Sequence, residues 1–185
     1  MTEQNAIGID IASENQVFWK RDESELIPDF AIIKLSQGTW MSQTSKWYNR
    51  WKPGSTALDT AKDIAEVPVR MAYHFLDYEY GTYQQQADFF LQLVDEAQQL
   101  TGQEFHKLYY DMEEHRSKTI KWDNSKYWVY GKKTVDAVRY TEDRIGEEVG
   151  IYTGPSDYLK VHNADFQAPE LDERDHWWAQ YPLRS

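Results

Sequence analysis

The chain contains no cysteine, which excludes disulfides, thiolate metal sites and a thiol nucleophile. Basic residues are also sparse: 20 Lys and Arg stand against 31 Asp and Glu, for a net charge of −11. Nucleic-acid phosphate is bound by clustered Lys and Arg, and no such cluster is present, so no nucleic acid is expected as a partner. The same deficit argues against an electrostatic membrane anchor, and no apolar run approaches the roughly 20 residues of a membrane-spanning helix. Residues 1–6 are polar and lack the basic-then-apolar pattern of a secretory leader. Synthesis in the cytoplasm is therefore expected, with any export by another route. No glycine-rich phosphate loop follows the first apolar run, because GIDIAS (8–13) lacks the dinucleotide-binding pattern. There is no HExxH pair, and neither Ser36 nor Ser156 lies in a GxSxG context. Repeats, linkers and low-complexity segments are missing too, and 185 residues suit one domain, 1–185, with a real core.

Aromatic residues, by contrast, are abundant: 8 Trp, 13 Tyr and 7 Phe. Most of them are expected in the core, since each ring buries a large area. An acidic, aromatic-rich domain also suits sugar binding, because rings stack on the apolar faces of pyranoses.

Apolar runs at Ile7 to Ile11, Phe30 to Leu35, Val69 to Phe75, Lys107 to Met112, Glu148 to Thr153 and Trp177 to Tyr181 read as strands. Between them lie helical patterns. Tyr83 to Leu100 carries Ala87, Phe90, Leu91, Val94 and Ala97 at helical spacing and closes at Thr101-Gly102. Asn124 to Ile145 places Trp128, Val135, Val138 and Ile145 on an apolar stripe, and a helix around Ser55 to Ile64 follows the Pro53-Gly54 break. Strands alternating with helices predict an α/β fold with a parallel sheet, and a barrel is the solution that needs no phosphate loop. Catalytic groups then belong at the carboxyl ends of the strands, where Asp10, Ser36, His74, Asp111 and Glu113 fall.

Asp111 and Glu113 carry the most information. Residues i and i+2 of a strand share a face, about 6–7 Å apart. Two acids at that separation suit glycosidic bond cleavage, one giving a proton and the other stabilising charge or positioning a nucleophile. Asp111 follows Leu108-Tyr109-Tyr110, and a desolvated carboxyl is the kind whose pKa rises into a useful range. A solvated loop would hold the same two acids without function. Asp10 suits either a helix N-cap or a third functional acid. His74 lies between Tyr73 and Phe75, the setting of a core histidine as much as of a catalyst. Asp111, Glu113 and His115 alternate like three metal ligands, but ligands strung along a straight strand rarely converge on one ion, so no metal is expected. Glu114 points the other way and reads as structural.

These motifs together resemble the glycoside hydrolase family 25 lysozymes, also called Chalaropsis-type or phage-type muramidases. Gly8-Ile9-Asp10-Ile11-Ala12-Ser13 resembles the family opening GIDVS, FAIIKLSQGT (30–39) its FxIIKATEGT stretch, and AYHF (72–75) its GAYHF motif. Tyr110-Asp111-Met112-Glu113 is similar to LDxE, Gly150-Ile151-Tyr152-Thr153-Gly154-Pro155-Ser156 to IYTxPS, and Trp178-Ala179-Gln180-Tyr181-Pro182 to W-I-A-x-Y-P. Six motifs in order span nearly the whole chain.

The resemblance implies a modified TIM-like (β/α)5β3 barrel that hydrolyses the β-1,4 bond between N-acetylmuramic acid and N-acetylglucosamine in bacterial peptidoglycan. Glu113 matches the catalytic acid, Asp111 its partner and Asp10 the third acid. Tyr73, His74, Tyr152 and Trp178 match the lining of the sugar groove. No cofactor and no metal are implied. On this reading ionised Asp111 and Asp10 raise the pKa of Glu113 by like-charge repulsion. The chain departs from the pattern in two places. Family members continue past the W-I-A-x-Y-P segment, so the last one or two strands are expected to be lacking. The open edge would then be completed by self-association or by a partner chain. The HWQ-like stretch after the opening is also replaced, by Glu14-Asn15-Gln16. A phage or prophage endolysin acting on the cell wall after release is the expected role. A non-catalytic glycan-binding or virion module, and a metal-dependent deacetylase that EDTA would silence, are the competing ones.

Overall fold

A computed structural model describes residues 6–11, 27–39, 57–79, 81–114, 123–162, 171 and 173–178. Six parallel strands, β1 (Gly8–Ile11), β2 (Phe30–Gln37), β3 (Val69–Phe75), β4 (Lys107–Asp111), β5 (Gly150–Thr153) and β6 (His176–Trp178), lie side by side in chain order. Helices α1 (Ala57–Asp63), α2 (Tyr83–Thr101), α3 (Tyr127–Ile145) and α4 (Pro155–His162) lie between successive strands in the chain, and a 3-10 turn, Asn124–Lys126, leads into α3. This is the α/β barrel topology expected of the alternating pattern. Among the described residues, no helix is long and apolar enough to cross a membrane.

Each helix forms for local reasons. Thr82 caps α2 through a reciprocal capping box with Gln85, and Gly102 at φ 66° ends it in the left-handed conformation that glycine adopts without cost. Ala87, Phe90, Leu93, Val94 and Ala97 form its buried stripe. On α3 the stripe centres on Gly131, Thr134, Val138 and Thr141, and Trp128, in the first turn, falls beyond its edge and is 50% exposed. The expectation that Trp128 belongs to the buried face is thereby corrected. α4 was not foreseen, because Pro155 to His162 carries little apolar periodicity and buries only Val161.

The sheet is strongly curled. Neighbouring strands lie about 4.8 Å apart, so a flat sheet would separate β1 from β5, or β2 from β6, by about 19 Å. Yet Tyr152 on β5 donates a hydrogen bond to Asp10 on β1 at 2.5 Å. The rings of Phe30 on β2 and Trp177 on β6 meet edge to face at 5.4 Å. Two glycines leave room for the ring of the residue they pair with on the neighbouring strand: a Cβ on Gly8 would lie 1.6 Å from the Phe30 ring, and one on Gly150 would lie 2.4 Å from the Tyr109 ring. The described strands thus form a half-barrel. Its concave face is filled by Ile32, Met71, Tyr73, Tyr109 and Tyr152. The larger core, including Ile33, Leu35, Ala72, Leu108, Tyr110 and Ile151, lies between the convex face and the helices.

One irregularity bears on function. Lys34 of β2 pairs with Tyr73, but Ser36 pairs with the next residue, His74. Leu35 and Ser36 therefore both turn toward the helices, and Gln37 returns to the concave face opposite Phe75.

Candidate active site

Three carboxylates gather at the carboxyl ends of the strands. Asp10 lies near the end of β1, Asp111 ends β4, and Glu113 follows two residues later. Asp111 is only 2% exposed, and its Oδ1 is buried with no hydrogen-bond partner among the described residues. Burial, reinforced by the Glu113 charge, pushes the Asp111 carboxyl well above its ordinary range, with Lys34 opposing. Burial also raises Asp10, against the Tyr152 hydrogen bond and Lys34. The rise expected for a desolvated Asp111 is matched by the structure, and burial extends it to Asp10, so each carboxyl binds its proton more tightly than a free aspartate does.

The Glu113 backbone is held by its neighbours. The Met112 N–H donates to Tyr152 O at 2.8 Å, and the Thr153 hydroxyl donates to Met112 O at 2.7 Å. These two bonds carry the β4–β5 pairing one residue past the strand and fix the peptide that precedes Glu113. Gly154 leaves room for the carboxylate, since a Cβ there would stand 3.3 Å from Glu113 Oε1. Glu114 diverges as expected: its N–H donates to Asp157 Oδ2 at 3.2 Å, and its carboxylate pairs with Lys160 of α4 at 3.0 Å. His115 lies outside the described residues. Among those described, no group of three or more His, Asp or Glu side chains is placed to hold a metal ion.

Of the four expected groove residues, two share the concave face with the acids. Tyr73 and Tyr152 stack in parallel at 4.8 Å, and Tyr152 carries the hydroxyl bonded to Asp10. Both rings are buried, and Tyr152 meets Asp10 from within the barrel. Trp178 stands on the convex side, stacked on His176 at 5.0 Å and edge-on to Tyr158 of α4, because Trp177 takes the inward position. His74 also points away from the acids, into the helix layer, between the rings of Phe90 and Tyr110.

His74 belongs to a closed polar chain. The tautomer protonated at Nε2 satisfies every partner. Nε2–H donates to Gln86 Oε1 at 3.2 Å, and Nδ1 accepts from the Ser36 hydroxyl at 2.7 Å. The Gln86 amide then donates to Asp77 O at 2.7 Å and accepts from the Asp77 N–H at 2.9 Å. Burial pushes His74 down to about 3. A histidine that stays neutral when folded but titrates near 6.5 when unfolded supports the fold above that pH. This support is lost as pH falls toward 3. Wild-type unfolding free energy should therefore fall between pH 6 and 4 by about 1.4 kcal/mol per pH unit more than that of His74→Gln. Urea titrations across that range measure the slopes, and equal slopes would refute a neutral buried His74.

Residues that the sequence reading did not single out include Lys34, Gln37, Phe75, Thr153 and Gly154. Lys34 had a legible signal: it is the lone charge in FAIIKLSQ and shares a face with Phe30 and Ile32. Gln37 had none, because strict alternation across the bulge turns it the wrong way.

Comparison with solved structures finds the same fold. A catalytic domain of endolysin ply40 from bacteriophage P40 of Listeria monocytogenes superposes with a TM-score of 0.60 at 22% identity, covering 98% of this chain and 76% of that one. A muramidase from Acremonium alcalophilum gives a TM-score of 0.63 at 16% identity, covering 97% and 79%. The bacterial lysozyme from Streptomyces coelicolor gives 0.60 at 16%, covering 96% and 75%. No curated protein matches the chain. The sequence profile described as "Glycosyl hydrolases family 25" matches residues 9–185, from the second residue of β1 through all three carboxylates and past β6. The chain belongs to family 25 of the glycosyl hydrolases.

Proposed function

We propose that this protein is a peptidoglycan hydrolase, an N-acetylmuramidase that cleaves the β-1,4 bond between N-acetylmuramic acid and N-acetylglucosamine. The observation that carries this reading is the desolvated Asp111 beside Glu113 on the concave face, with Asp10 held against them by Tyr152. Glu113 gives its proton to the glycosidic oxygen as the bond from C1 to that oxygen breaks. Asp111 and Asp10 face the positive charge that develops at the sugar ring. The 2-acetamido group of the substrate can support C1 from the opposite face until water adds, and the water's proton returns to Glu113. Tyr152, stacked on Tyr73, orients Asp10. The likeness to an endolysin catalytic domain supports a phage or prophage setting, with the cell wall as the site of action.

Digestion of purified peptidoglycan, followed by borohydride reduction and mass spectrometry, tests the reading. Fragments ending in muramitol are expected. Glucosaminitol ends would mean that the other glycosidic bond is cut. Intact glycan after treatment with the folded protein would replace the enzyme with a glycan-binding module.

A further inference from the structure

A lysine in the middle of an otherwise largely apolar strand needs a reason, because a charge removed from water is costly unless it is compensated. Lys34 lies on the concave face of β2, in register with Tyr73. Its Nζ donates to Gln37 Oε1 at 2.7 Å and sits 4.4 Å from the centre of the Phe75 ring. Gln37 reaches it only because the bulge at Leu35-Ser36 turns that side chain inward. A register irregularity, a buried amide and an aromatic face therefore converge on one ammonium group at the mouth of the half-barrel.

The charges around it come from several elements. Asp111 meets Glu113, Asp10 of β1 and Asp157 of α4, all of which disfavour its ionisation, and Lys34, which favours it. Asp10 is eased by the Tyr152 hydroxyl and by Lys34. The Tyr78 hydroxyl lies within the field of Asp111, is held by Thr134 at 3.0 Å and stays protonated. His74, behind the strand, is neutral. Among the described residues, Lys34 is the one cation that opposes protonation at both aspartates.

We propose that Lys34, caged by Gln37 and Phe75, is the positioning counter-ion of the acid cluster: it keeps negative charge on the Asp10–Asp111 pair while the transferable proton stays on Glu113. The inference rests on the hydrolase reading for its consequence, which is that Lys34 sets the pH below which the site falls silent. It does not rest on that reading for its test.

Carbon-13 carboxyl NMR on the full chain follows Asp10 and Asp111 directly, whether or not the protein turns over substrate. In Lys34→Met the Asp111 midpoint should rise by about one pH unit or more, the scale on which a close cation acts. Lys34→Arg should restore it. In the same variants, the acid limb of kcat/KM on peptidoglycan fragments should move upward with Lys34→Met and return with Lys34→Arg. Should Lys34→Met fail to fold, Gln37→Leu removes the anchor and leaves the charge, and a smaller upward shift is expected. Unchanged aspartate titration in folded Lys34→Met, or in Gln37→Leu where it stands in, would overturn the proposal. Inactive wild type with shifted carboxyl midpoints would sink the hydrolase reading and leave the counter-ion intact.

Discussion

Glu113→Gln should lower peptidoglycan cleavage about a thousandfold or more and leave the unfolding midpoint almost unchanged. Glutamine keeps the size of the side chain and has no proton to give, so the leaving sugar oxygen departs unprotonated. General acid assistance accounts for about 10²- to 10⁴-fold of a rate, and here it cannot be supplied from elsewhere. The nearest substitute, Asp111, is almost wholly enclosed. Stability should survive because Glu113 is only half-buried and its backbone is fixed by Met112 and Thr153, which the variant does not touch. Binding of glycan fragments should also survive, and calorimetry with the variant checks it. Near wild-type turnover in Glu113→Gln would remove the residue from the reaction and with it the proposed mechanism.

The fold was legible because two periodicities alternate cleanly along the chain. Five of the six strands occupy the expected apolar runs to within two residues at either end, and α2 ends one residue past the expected boundary, just before the predicted closing Gly102. β6 begins one residue early, and its expected extension to Tyr181 lies outside the described residues. The three carboxylates were legible for the same reason: a parallel barrel collects at one rim whatever follows its strands. The facing of particular side chains was less so. AYHF matches the family motif, but within it only Tyr73 and Phe75 point inward. His74 is taken up by Ser36 and Gln86 behind the sheet. Trp178 is aromatic and belongs to a family motif, yet Trp177 holds the inward place at that level. The bulge in β2 has no signature in FAIIKLSQ, because Leu35 and Ser36 are as ordinary in a regular strand as in an irregular one. It nevertheless decides which face receives Gln37. Residue type and order reveal the barrel and its acids, whereas register decides which neighbours tune them.

Asp111→Asn should cost most of the catalytic rate and yet make the protein harder to unfold at neutral pH. Burial and the Glu113 charge hold the folded Asp111 carboxyl above the value it has in the unfolded chain. The folded state therefore binds that proton more tightly, and stability falls as pH rises from the unfolded value through the folded one. At pH 7 the chain folds against the cost of burying this charge. Asparagine has no charge to bury. Each pKa unit of displacement corresponds to about 1.4 kcal/mol. For a domain of this size, 1 kcal/mol moves the midpoint by about 2–4 °C. The Lys34 attraction is already contained in that net upward displacement, so a higher midpoint at pH 7 is expected. At pH 3.5 both side chains are neutral and the difference should vanish. His74 titrates in both proteins and cancels from the comparison. The pH dependence of the difference is the diagnostic, because an asparagine that merely packed better would stabilise equally at both pH values. A variant less stable than wild type at pH 7 would instead make Asp111 a structural anchor of the β4 terminus.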